Sequence, residues 1–222
     1  MLPVVVGIEG EALTAREREL FTRLQPAGYI LFSRNIADHE LTRELTDDLR
    51  RITEGPDAPI IAIDQEGGRV VRTAAIGVQM PSAAALAATG SPHTIRKAAL
   101  YTLNVLLTLG VNTDFAPVLD LASPHANALP SRCWGSDTQD VISRAGVWNR
   151  TLCKGGIMTC GKHFPGMGDA ACDPHHELPV LHGTRASFLE RASIPFTALM
   201  PELPSLMVAH LLIPEMDAEH PT

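Results

Sequence analysis

The chain has 222 residues, 45 % of them hydrophobic, enough for one large α/β domain or two small ones with a real core. A formal charge of -7, from 18 basic and 25 acidic side chains, together with only 5 % aromatic residues, excludes the basic, aromatic-lined surface of a nucleic-acid binder. No run of about 18 uninterrupted apolar residues marks a membrane span. The opening MLPVVVGIEG has no basic n-region or cleavage site and reads as a first strand rather than a signal peptide. The cysteines at 133, 153, 160 and 172 have no CxxC spacing. They point to a reducing compartment, hence a cytoplasmic location, more than to a disulfide framework.

In chain order, residues 4–8 form a continuous apolar run, expected of a strand covered on both faces. Residues 14–24 have helical spacing, with Leu13, Leu20, Phe21 and Leu24 on one side and a capping box from Thr14 to Glu17. A second buried strand covers 28–32. A charged amphipathic helix covers 36–52, with Leu41, Leu45, Leu49 and Ile52 on its apolar face. The third strand, 59–63, runs into Asp64-Gln65-Glu66-Gly67-Gly68-Arg69. An alanine-rich irregular stretch, 73–88, precedes a long helix at 94–109 and a fourth strand at 111–115. After a Pro/Asn/Ser loop at 123–136 come a helix at 140–154 and a fifth strand at 156–160. The polar loop at 161–179 follows. A helix begins at 184–192 and continues through 195–199, and a sixth strand covers 206–211.

Strands and helices thus alternate, and polar residues gather after the strands: Glu9, Arg34, Asn35, Asp64, Asp114, Asp120, Lys162, His163 and His210. A parallel barrel places such strand ends on one face. An open doubly wound sheet does so too, but normally carries a glycine-rich phosphate loop, and no GxGxxG or GxxxxGK[ST] occurs here. A closed eight-stranded barrel typically takes about 250 residues. Two strand–helix units are therefore missing from the reading, and strands one and six are expected as open edges, able to self-associate.

The chemistry concentrates in 161–179, GKHFPGMGDAACDPHHELP. Asp173 and His175 are separated by one proline, so the carboxylate can orient the ring through one nitrogen and leave the other for proton exchange. The bland alternative is a loop histidine beside a solvated aspartate. Lys162 and His163 can donate to sugar hydroxyls or phosphate; the alternative is a rim histidine and a snorkelling lysine. Asp64, before the Gly-Gly turn, is an acceptor able to grip two hydroxyls. Arg69 or Arg72 can pair with it, and an internal Arg69–Glu66 ion pair is the structural alternative. Cys160, His163, Cys172, Asp173, His175 and His176 are all possible metal ligands, but no usual zinc spacing is met, so no metal is assigned.

Four segments together carry a resemblance: IAIDQEGGRVVR (61–72), NTDFAPVLD (112–120), KHFPGMGDAACDPHHELP (162–179) and LMVAHLLIPEMD (206–217). In this order, across essentially the whole chain, they resemble glycoside hydrolase family 3, and within it the bacterial β-N-acetylglucosaminidase branch that recycles peptidoglycan fragments. The resemblance implies a (β/α)8 TIM-barrel fold, with residues 1–222 as one incomplete catalytic barrel domain of about six βα units. It implies a retaining exo-glycosidase acting on terminal non-reducing β-linked N-acetylglucosamine, in a saccharide or muropeptide, without a cofactor. By motif position His175 is the general acid and base, and Asp173 its partner. Asp64, Arg72, Arg132, Lys162 and His163 fall where the family binds the sugar.

The chain departs from the family pattern twice. Met167 stands where the family has a histidine, and a thioether cannot reproduce its hydrogen bonds, which is expected to loosen the loop. The family's nucleophile is an aspartate at the end of strand seven, and the sequence reaches Pro221-Thr222 before any such segment. The expectation is therefore a chain without its nucleophile. The alternatives are an inactive truncated homologue acting at most as a sugar-binding module, and a metal-dependent hydrolase.

Overall fold

The structure is a computed structural model that describes residues 1–56, 58–124, 129, 131–172 and 175–222. Six parallel strands lie in sequence order: β1 (Leu2–Gly7), β2 (Pro26–Leu31), β3 (Ile60–Ile63), β4 (Thr113–Asp114), β5 (Met158–Phe164) and β6 (Ser205–Val208). The helices between them are α1 (Ala15–Leu24), α2 (His39–Ile52), α3 (Ala83–Ala88), α4 (Pro92–Thr108), α5 (Thr138–Lys154), α6 (Arg185–Ser187) and α7 (Ile194–Leu199). A π-helical turn, Phe188–Ala192, joins the last two. A sheet whose strands follow chain order, each returned by a helix, is the arrangement of consecutive units in a parallel barrel, here open between β1 and β6.

Local sequence explains most of the helix ends. Thr14 accepts from the Glu17 N–H at 3.1 Å, while the Glu17 carboxylate accepts from the Thr14 N–H at 2.9 Å, completing the capping box. Asp38, Ser91 and Asp137 cap α2, α4 and α5 more simply, each side chain accepting from first-turn N–H groups. The main core lies between sheet and helices. Leu31, Leu49, Ile61, Ile63, Leu106, Trp148 and Phe196 are buried there, with Trp148 tilted against Trp134 at a ring separation of 5.9 Å. Each fully buried aliphatic side chain of this kind contributes about 1.5–3 kcal/mol.

Several expectations need correction. The first strand is not covered on both faces: Leu2, Val4 and Val5 are exposed, and burial begins only at Ile8, because β1 has a partner on one side only among the described residues. Leu41 is exposed as well, so the apolar stripe of α2 starts at Leu45. The stretch 73–88 is not irregular throughout, because Ser82 accepts from the Ala85 N–H at 3.2 Å and starts α3 on helix-favouring alanines. The fourth strand is shorter than 111–115. The Asn112 side chain takes the Ile61 N–H at 2.7 Å and donates to the Pro59 carbonyl at 2.8 Å, replacing regular ladder bonds. The fifth strand runs later than 156–160 and includes Lys162 and His163. Their strand is extended by the segment after β4: the Lys162 N–H donates to the Pro117 carbonyl at 3.1 Å and the Leu119 N–H to the Lys162 carbonyl at 2.6 Å. The sixth strand ends at Val208 rather than 211.

Candidate functional site

Asp64 leaves the end of β3, and the next residues turn back on themselves. Gly67 and Gly68 have φ of +95° and +60°, and an added Cβ on Gly67 would stand 2.2 Å from the Pro81 carbonyl oxygen. Only glycine fits such a turn. Gln65 then clamps both arms. Its N–H donates to Asp114 Oδ1 at 3.0 Å, its Nε2 to Thr73 Oγ1 at 2.7 Å, and its Oε1 accepts from the Arg72 N–H at 2.9 Å. This brings the Arg72 guanidinium to 3.8 Å from Asp64 and over the Phe32 ring at 5.8 Å. Arg72 Nε is buried without a hydrogen-bond partner among the described residues.

Lys162 enters from β5 and is only 2 % exposed. Its Nζ lies 2.7 Å from Asp64 Oδ1 and 2.6 Å from Glu66 Oε1. Glu66 also receives a bidentate pair from Arg132, Nε to Oε2 and Nη2 to Oε1, both at 2.7 Å. The expected Arg69–Glu66 pair is thus replaced by Arg132 and Lys162, because Glu66 points inward under the turn while Arg69 lines the open side. Burial alone would raise the Glu66 carboxyl, but the Arg132 hydrogen bonds and the Lys162 and Arg132 charges outweigh it and hold it at about 2. Burial would lower Lys162 and Arg132; the carboxylates beside them, Glu66 above all, raise both instead. Asp114, completely buried, is pushed well above the usual carboxylate range by burial, against the single Gln65 N–H, and its Oδ2 has no partner among the described residues.

His163 follows Lys162. Asp120, completely buried, accepts at Oδ2 from the His163 N–H at 3.2 Å and lies 2.7 Å from His163 Nδ1. Its Oδ1 accepts from the Met167 N–H at 2.7 Å. Met167 is 2 % exposed and packs in a cluster with Val118, Cys133 and Ala170 at the base of the loop. An added Cβ at Gly168 would meet the Leu121 carbonyl oxygen at 2.1 Å, so the loop depends on glycine to lie this close.

Asp64, Arg72, Arg132, Lys162, His163 and His175 all line one cleft of about 380 Å³ at the strand ends, with Phe32, Phe115, Met207 and His210 as further walls. His175 sits exposed at its mouth. Asp173 lies outside the described residues. The sequence reading missed the part played by Glu66 and Asp120. Their residue type gave no signal; only the convergence of Arg132, Lys162 and His163 on them does.

Fold and cleft define a parallel α/β barrel-type protein with a densely charged ligand site at the carboxyl ends of its strands. Comparison with known proteins gives the particular family. The chain belongs to glycosyl hydrolase family 3: the model of the family's N-terminal domain matches residues 3–222. A β-hexosaminidase of Alkalilimnicola ehrlichii is 35 % identical, with 97 % of this chain and 63 % of that protein covered. Among solved structures, a family 3 β-N-acetylglucosaminidase from Paenibacillus superposes with a TM-score of 0.90 at 31 % identity, covering 98 % of this chain and 42 % of that one. NagZ from Neisseria gonorrhoeae, in complex with N-trifluoroacetyl-D-glucosamine, superposes with a TM-score of 0.88 at 28 % identity, covering 97 % of this chain and 65 % of that one. The chain spans just under two thirds of the length of the curated relatives it matches.

Proposed function

We propose that this chain forms the sugar-binding and acid–base part of a retaining exo-glycosidase that removes terminal non-reducing β-linked N-acetylhexosamine from a saccharide or muropeptide. The observation that carries the reading is the convergence of Asp64, Arg72, Arg132, Lys162 and His163 on one cleft with His175 at its mouth. Carboxylate acceptors and cationic donors within 4 Å of one another suit adjacent sugar hydroxyls, each of which both donates and accepts. The N-trifluoroacetyl-D-glucosamine held by the gonococcal relative supports an N-acylated glucosamine as ligand.

In the mechanism we infer, His175, with Asp173 as its partner, protonates the leaving oxygen and then takes a proton from the incoming water. A retaining reaction also needs a nucleophilic carboxylate. Among the described residues, those lining this cleft are already committed, Asp64 and Glu66 to Lys162, Arg132 and Arg72, while Asp120 is buried behind it against the His163 and Met167 N–H groups. We place the nucleophile in the part of the longer relatives that these residues do not span. A cytoplasmic setting belongs to the same proposal, supported by four cysteines that stand as free thiols, and cell fractionation tests it.

The same commitment of carboxylates favours a second reading, a sugar-binding module without turnover. Two measurements decide. Calorimetric titration with N-acetylglucosamine should show saturable binding that Asp64→Asn weakens; a folded chain that binds no acetamido sugar overturns both readings. Release of nitrophenol from an N-acetyl-β-glucosaminide by a longer form of the protein then separates enzyme from module.

A further inference from the structure

Asp120 accepts from the Met167 N–H at Oδ1 and from the His163 N–H at Oδ2, and Oδ2 also lies 2.7 Å from His163 Nδ1. It is completely buried, so no solvent competes for these positions. An ionised carboxylate only accepts, so the bond to Nδ1, at 2.7 Å, places the ring proton on Nδ1. The opposite side of the ring gives an independent indication. Nε2 lies 3.4 Å from Arg132 Nη2, and a guanidinium only donates. A proton on Nε2 would set donor against donor, whereas a lone pair there receives the second Nη2 hydrogen, the first being used on Glu66 Oε1.

We infer that Asp120 is a positioning residue that fixes neutral His163 as the Nδ1–H tautomer, so that Nε2 faces the cleft as a hydrogen-bond acceptor for a hydroxyl of the sugar. The inference rests, for its ligand, on the proposed glycosidase site; its tautomer part stands on the contacts alone. It reverses the role expected of His163, which from its place beside Lys162 reads as a donor. The consequence is a division of labour. Arg72, Arg132 and Lys162 supply donors, and Asp64 supplies a charged acceptor. His163 adds an acceptor that brings no further negative charge. A hydroxyl that displaces the long 3.4 Å contact between Arg132 Nη2 and Nε2 can then give its proton to Nε2 while accepting the freed guanidinium hydrogen. A carbonyl or ether oxygen at that place cannot, so the arrangement selects a free hydroxyl over a substituted one.

The experiment uses the whole chain with ¹⁵N-labelled histidine and long-range proton–nitrogen correlation spectra, taken about two pH units above the ordinary imidazole value of about 6.5. The His163 signals are assigned by their loss in His163→Gln. Wild type should show a pyrrole-like Nδ1 and a pyridine-like Nε2. The opposite pattern overturns the inference, and this measurement needs no Asp120 variant to fold. In Asp120→Ala the preference should move toward Nε2–H and N-acetylglucosamine affinity should fall about tenfold; an unchanged tautomer removes Asp120 from the role. Saturating wild type with N-acetylglucosamine should shift Nε2 in the direction of accepting a hydrogen bond. Saturable binding, measured by calorimetry, with an unmoved Nε2 overturns the acceptor assignment. Absence of any sugar binding overturns the proposed function instead, and leaves the tautomer result to decide the part played by Asp120.

Discussion

Lys162 and Glu66 meet at 2.6 Å with side chains 2 % and 4 % exposed, an ion pair that ties the end of β5 to the turn after β3 beneath the cleft. Burying two charges costs several kcal/mol per ion before attraction offsets it. The pair is tolerable because each partner is held twice, Lys162 also by Asp64 and Glu66 also by Arg132. The cluster is therefore better understood as a device that fixes cationic donors at the floor of a ligand site than as a source of net stability.

Removing one partner from such a cluster leaves buried charge uncompensated. Glu66→Gln should lower unfolding stability by about 3 kcal/mol, measured by urea denaturation near neutral pH. Glu66 lies below its ordinary 4.5, at about 2, so its contribution is complete above 4.5 and is lost as pH falls toward 2. That drop corresponds to about 3 kcal/mol. The wild-type chain should thus lose stability through this window more steeply than the variant. A loss under about 1 kcal/mol with parallel pH curves would show that the cluster is not electrostatically coupled.

Asp114 works with the opposite sign. Its folded value is raised above 3.8 by burial, so folding takes up a proton, and the contribution of the neutral acid is present below 3.8 and lost as pH rises. Asp114→Asn keeps the acceptor for the Gln65 N–H and is neutral at every pH. It should become progressively more stable than wild type as pH rises above 3.8. A variant that is uniformly less stable across that range contradicts a neutral Asp114.

Asp64 has one oxygen on Lys162 and the other 3.8 Å from Arg72, at the edge of the cleft. Asp64→Asn should weaken N-acetylglucosamine binding by tenfold to a hundredfold, the value of about 1.5–3 kcal/mol for a hydrogen bond to a charged group. Calorimetry on a sample whose circular dichroism matches wild type measures it. Unchanged affinity would take Asp64 out of the site.

His175 should matter in proportion to the need for a proton. In a form of the protein that turns over, His175→Ala should slow hydrolysis of a poor leaving group far more than that of a nitrophenyl glycoside, which leaves with little protonation. Equal losses on both substrates argue against His175 as the acid.

The 222 residues alone should bind sugar with turnover near zero. Robust release of nitrophenol by them would direct attention to Asp169, which is exposed and paired only loosely with Arg191 at 3.4 Å. Asp120 is unsuitable for that part, being completely buried against the His163 and Met167 N–H groups.

The sequence by itself determined the alternation of strands and helices, because period, caps and breakers are local. Thr14 with Glu17 can be read without knowing what lies across the sheet. It also determined the composition of the site, since Asp64, Arg72, Lys162, His163 and His175 stand in motifs at strand ends. Tertiary structure alone decided what each of these touches. Glu66 and Arg69 are close in sequence and had appeared to be partners, yet β5 delivers Lys162 and the loop before α5 delivers Arg132 to the carboxylate first. Asp120 read as one more polar residue after a strand until His163 and Met167 closed on it from another strand. The exposure of β1 likewise depends on its having a partner on one side only among the described residues, not on its own apolar residues. Pair energies between buried charges depend on distance and on exclusion of water, and neither is a property of residues near one another in the chain.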